Sequence, residues 1–191
     1  MDKRINRLTG LGILIALVVI LQFLSNYITF GPISITLALV PIVLGAIIYG
    51  PLGGLILGVV LGAVVLVAPS TAGFLSFHPV ITVFLCLLKS GLAGLAAGFI
   101  FMPFKGKHEL VGSILAAIAV PIINTGLFAL GTTLFFTGLF GYEEASSDFI
   151  YYLFIVVIGV NFIVEFAVNS ALSPTIFKIY SLVSKREKYN N

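Results

Sequence analysis

Long apolar runs separated by short polar, Gly or Pro breaks set the rhythm of this chain. A helix needs about 20 apolar residues to cross the hydrocarbon core of a bilayer. On that measure the pattern predicts six transmembrane helices, at roughly 8–28, 36–50, 52–68, 80–102, 110–137 and 149–180. The second and third are short, and only Tyr49-Gly50-Pro51 divides them, as a tight turn or a kink. The sixth is long enough for its C-terminal end to project beyond the membrane. The expected fold class is an all-α membrane protein, a six-helix bundle forming one integral membrane domain over residues 1–191.

Composition agrees with the pattern. Only 9% of residues are charged and 60% are hydrophobic, against about 25% charged in a soluble domain. Charge placement then orients the bundle. Lys3, Arg4 and Arg7 precede the first span, Lys105 and Lys107 lie between the fourth and fifth, and Lys178, Lys185, Arg186 and Lys188 end the chain. With six spans all of these fall on one side, while Glu143, Glu144 and Asp148 fall on the other. The excess of Lys and Arg marks the cytoplasmic face, so both termini are expected there. The opening MDKRINR and its apolar run lack a small-x-small cleavage site and read as a retained first helix. The outer connections are then 29–35, 69–79 and 138–148, rich in Gly, Pro, Ser, Thr and aromatics, and suited to be connectors or lids.

Several function classes are disfavoured. Two histidines and the lone Cys86 form no Cys/His cluster, so no metal site is expected. An intramembrane enzyme would need clustered acid/base groups or nucleophiles, and the scattered carboxylates do not supply them. No nucleic-acid partner is expected. There is no G-x-x-x-x-G-K-[ST] run, so ATP would have to be used by another subunit. The chain itself is expected to hold no cofactor.

Small residues recur where helices must meet. Gly50, Gly54, Gly58 and Gly62 follow one another at four-residue spacing, and Gly94 and Gly98 repeat the step in span four. Lipid gives helices no hydrophobic reason to associate, so close backbone approach supplies the packing energy. Gly12 and Ala16 form a third such pair, in span one.

The chemistry lies in polar groups inside these spans. In NFIVEFAVNS, Asn161, Glu165 and Asn169 follow at four-residue steps, and Ser173 adds one more. Such steps drift only about 40° around a helix, so the four form one stripe. Lys89 is the other strong charge within the spans. An unpaired charge at mid-membrane costs about 2.5–3.5 kcal/mol on insertion scales, so both should face the interior. Their expected depths differ by about 9 Å at 1.5 Å per residue, and pairing with each other or with a ligand both remain open. In span five, Pro121 should kink the helix ahead of Asn124 and Thr125, with Phe128 and Thr132 continuing that face outward. A broken helix bearing an amide and hydroxyls suits a midplane small-molecule site. The expected site therefore lies between spans five and six, with Asn161, Glu165 and Asn169 opposite Asn124. Lys89 and the loop residue His78 are further candidates, and Asn169 and Ser173 are expected to bond other helices.

These stretches resemble a known family. PISITLALVPIVLGAIIYGPLGGLILGVVLGAV looks like the signature of substrate-binding S components of energy-coupling factor (ECF) vitamin transporters. PIINTGLFALGTTLFF and VNFIVEFAVNSALSPTIFKIY look like that family's fifth and sixth spans. The resemblance implies a multi-pass protein of the bacterial cytoplasmic membrane that captures a vitamin from outside. It implies docking on a shared transmembrane coupling subunit that is joined to two ATPase subunits. The family's docking motif is Ala-x-x-x-Ala on the first helix, and here it reads Gly12-x-x-x-Ala16, which keeps a small side chain at both ends. The span-five INTG and the span-six stripe are most similar to pantothenate carriers. Hydroxymethylpyrimidine, pyridoxine, riboflavin and folate are the alternatives within the family. Outside it, the competing reading is a self-sufficient ion-coupled transporter using Glu165, although the two halves of the chain show no repeat of the kind many such carriers have.

Overall fold

A computed structural model describes residues 3–27, 29–30, 33–34 and 36–189. The expected end of span one at residue 28, and residues 31, 32 and 35 of the first outer connection, lie outside the described residues, as do the extreme termini. The elements are helix α1 (Lys3–Ser25), a hairpin of β1 (Thr29–Phe30) and β2 (Ile33–Ser34), and helices α2 (Leu39–Tyr49), α3 (Pro51–Leu66), α4 (Ala72–Phe77), α5 (Pro79–Phe101), α6 (Glu109–Phe135), α7 (Ser147–Tyr152) and α8 (Gly159–Tyr189). The all-helical reading holds apart from the hairpin, in which Thr29 pairs with Ser34 and Phe30 with Ile33.

Among the described residues, four helical segments are long and apolar enough to cross a membrane, Arg7–Ser25, Pro79–Phe104, Glu109–Phe135 and Ser147–Lys185. The other two expected spans differ from the six-span pattern. The second shrinks to the 11 residues of α2, about 16 Å of helix against a hydrocarbon core of about 30 Å. The third stops at Leu66, and the chain turns by 77° into Pro69–Phe77. The expected outer loop 69–79 is thus largely a short helix lying across the end of α3. A hydroxyl group spans that bend, Thr71 Oγ1 donating to Val65 O at 2.7 Å, and at the next turn, from α4 into α5, Thr82 Oγ1 lies 2.8 Å from both Phe74 O and His78 O.

The Tyr49-Gly50-Pro51 break is a true turn. Gly50 takes φ +82°, a conformation that L side chains rarely adopt, and Pro51 starts α3 where its missing N–H costs nothing. Arg7 Nη2 donates to Tyr49 O at 2.9 Å, closing the end of α2 against the start of α1.

The glycine ladder is an antiparallel seam between α3 and α5. A Cβ on Gly54 would strike Gly94 O, one on Gly58 would strike Ser90 O, and one on Gly62 would strike Cys86 O. As one partner advances by four residues the other retreats by four, so the two backbones touch over more than two turns. Farther along, a Cβ on Gly98 would meet Pro51. The main core gathers around this seam, with Ile42, Leu57, Leu61, Ala93, Ala116, Val120 and Ile176 buried.

Two expectations about the last spans change. Pro121 is buried inside α6, which runs from Glu109 to Phe135, so the helix is not broken there. The irregular backbone lies instead in the final span, where Leu153–Ile158 winds as a π-helix between α7 and α8. Such widened turns are rare and frequently adjoin functional sites.

Candidate functional site

The stripe that begins at Asn161 is fully interior. Asn161, Glu165, Asn169 and Ser173 are all buried, because α8 packs on α6 along one side and on α2 along another. What faces Glu165 is the segment leading into α2 on one side and α6 on the other. Its Oε1 accepts the Thr36 backbone N–H at 2.7 Å, and its Oε2 lies 3.5 Å from the Thr125 hydroxyl. Thr36 lies three residues ahead of the start of α2, in the irregular connection from β2, so its amide needs a partner from elsewhere. Leu37 N–H is served in the same way, by Ser25 Oγ of α1 at 3.1 Å. Side chains from the neighbouring helices thus supply the acceptors for both amides.

Farther along α8 the stripe turns inward on its own helix. Asn169 Nδ2 donates to Glu165 O at 2.9 Å, and Ser173 Oγ to Ser170 O at 2.7 Å. The expected bonds from these two residues to other helices are therefore intrahelical ones. At the opposite end Asn161 Nδ2 donates to Val157 O at 3.4 Å, within the π-helical turn.

Two cavities among the described residues meet at Thr36, Lys89 and Phe128. The smaller, with an empty volume of about 350 Å³, is lined by Asn124 and Thr125 from α6 and by Asn161 and Glu165 from α8. Lys89 enters from α5. Its ammonium lies 5.0 Å from the centroid of the Phe128 ring, a contact worth about 0.5–2 kcal/mol depending on desolvation. Among the described residues no ion pair joins it to Glu165. Next to it on α5, Ser90 Oγ donates to Asn124 Oδ1 at 3.2 Å, fixing that amide from behind.

The structure thus brings together Lys89, Asn124, Thr125, Phe128, Asn161 and Glu165 around one space. His78 and Thr132 stand apart. His78 is exposed, with its ring 4.8 Å from Phe77 and 5.9 Å from Phe136, and it lines neither cavity. Thr132 is buried in α6 and also lines neither. Gly12 and Ala16 lie on the exposed side of α1, and a Cβ on Gly12 would meet nothing within 4 Å.

Sequence reasoning missed the larger cavity, with an empty volume of about 520 Å³, between α1, α3, α4, α5 and α6. Its wall includes Gln22, Thr71, Thr82 and Cys86, together with an aromatic cluster in which Phe74 lies 5.6 Å from Phe128 and 5.1 Å from Phe136. Gln22 carried a usable signal, as a polar residue inside an apolar run with Ser25 and Asn26 one turn on. Thr36 meets Glu165 with both its backbone N–H and its side chain, but a single threonine ahead of an apolar run gave no reason to single it out.

A cation, several amides and aromatic walls in a desolvated space can hold a small polar molecule and its anionic group. Against known proteins, the family model described as "ECF transporter, substrate-specific component" matches residues 6–177. That stretch runs from the first helix to most of the last. The search of curated proteins and the search of solved structures each returned no match.

Proposed function

The chain belongs to the substrate-specific components of ECF transporters, and from that premise we propose that it captures a small polar anion from outside the cell, with pantothenate the leading candidate. The observation that carries this reading is the junction at Lys89. An ammonium group stands over Phe128 beside Asn124 and Asn161, and among the described residues no carboxylate pairs with it. Pantothenate offers one carboxylate for Lys89, and an amide and hydroxyls for Asn124 and Asn161. Glu165, held by Thr36 N–H, lines the same cavity as Lys89. Docking on a transmembrane coupling subunit through the exposed Gly12 and Ala16 face, with two ATPase subunits supplying the energy, completes the import cycle.

The test is equilibrium binding of the purified chain, without ATPase subunits, to pantothenate and a panel of labelled water-soluble vitamins. Saturable binding of pantothenate or another anion is the expected result. Tight binding of a neutral compound alone would keep the capture role and remove the charge argument at Lys89. Failure of every compound would overturn capture of a vitamin.

A further inference from the structure

The larger cavity has no part in the reading above, yet it opens onto the same lysine. Gln22 reaches its wall from α1 and is 1% exposed. Its Nε2 donates to Asn26 Oδ1 at 3.4 Å, while its Oε1 has no hydrogen-bond partner among the described residues. Buried amide oxygens are almost always bonded, so an unpartnered one beside a cavity marks a place for a donor. The neighbouring hydroxyls do not supply it, because Thr71 and Thr82 give their protons to main-chain carbonyls.

We infer that the two cavities are halves of one substrate site, and that Gln22 is a specificity-determining residue that accepts a hydrogen bond from a substrate N–H or O–H. Lys89 stands at the shared wall and takes the anionic group. Phe128, common to both cavities, packs against the middle of the ligand. The ligand class is then an elongated monoanion whose charge and an adjoining apolar segment sit at the junction, with a hydrogen-bond donor toward Gln22 and further polar groups toward Asn124 and Asn161. This rests on the capture reading and deepens it.

The experiment titrates purified protein with pantothenate and the vitamin panel, then carries the compound that binds into Gln22→Met. Methionine matches glutamine in length and lacks the amide. Analogues of the bound compound, each methylated at one N–H or O–H, are measured against both proteins. Gln22→Met is expected to weaken the parent compound tenfold or more. One methylated analogue should lose a similar factor against the unaltered protein and little further against Gln22→Met. Affinity within twofold of the unaltered protein would overturn the assignment. So would an equal loss for the parent and every analogue, since that is the mark of a purely structural residue. Absence of binding by the unaltered protein to every compound would overturn the capture reading and this assignment with it. If Gln22→Met does not elute as a folded monodisperse protein, Gln22→Asn, which withdraws the amide by one methylene, takes its place with the same expectations.

Discussion

The α3–α5 seam and the α6–α8 interface solve the same problem in opposite ways. In the seam the side chains are removed, and Gly54, Gly58 and Gly62 rest on the backbone of α5. At the α6–α8 interface the side chains are polar and stand apart, leaving room between Asn124, Thr125, Asn161 and Glu165. The first gains its energy from close contact, the second from hydrogen bonds that a ligand can join or replace. Helix α5 belongs to both regions. Ser90 presents its carbonyl to Gly58 and its hydroxyl to Asn124, and Lys89 and Cys86 line cavities from the same helix. A rigid seam on one side thus fixes where the binding groups stand on the other.

The sharpest way to break this contrast is Gly58→Leu. The obstacle is the Ser90 backbone, which cannot swing aside, so the cost should be about 3 kcal/mol or more. Loss of the monodisperse peak in detergent, or a large fall in thermal midpoint, is the expected readout. A normal midpoint would show that the seam is looser than its geometry. Next comes Lys89→Met, which removes the cation and keeps most of the stem. Binding of an anionic substrate should weaken about 10- to 100-fold, the loss of a charge-assisted bond of about 1.5–3 kcal/mol, with the thermal midpoint little changed.

Asn124→Ala and Asn161→Ala test the neutral groups. Each should weaken binding about tenfold or more, for about 1–3 kcal/mol of desolvated hydrogen bonding. Unchanged affinity in both would move the ligand into the larger cavity alone. The smallest effect on binding belongs to Gly12→Leu combined with Ala16→Leu, both exposed on α1. Affinity in the purified protein should stay within twofold while uptake by cells carrying the whole transporter is lost. Weakened binding would mean that this face packs within the protein itself.

What could be read from the residues follows the same division. The glycine ladder and the polar stripe repeat every four residues, so one helix's own geometry reveals each of them. The turn at Gly50-Pro51 was equally legible, since its two residues carry the backbone requirement themselves. The partner of Glu165 was not, because Thr36 lies 129 positions away and meets it partly through a backbone N–H, which leaves no mark in the sequence. Pro121 misled in a different way. A proline weakens a helix locally, but the packed surroundings of Val120 and Pro121 hold α6 continuous. The π-helical turn at Leu153–Ile158 lies in a stretch of uniformly apolar residues, where no periodicity signals a change of winding. The bend after Leu66 is spanned by Thr71 meeting Val65 O, a contact that one threonine among Pro, Ser and Ala does not announce.

The bond from Thr36 N–H to Glu165 joins residues 129 positions apart. During synthesis the segment leading into α2 emerges early and its acceptor comes almost last. An 11-residue helix with unserved amides cannot rest alone in hydrocarbon. The site is therefore completed late: Asn161 and Glu165 are the last of its lining groups to be synthesised, so the cavity between α6 and α8 has no second wall until α8 is in place.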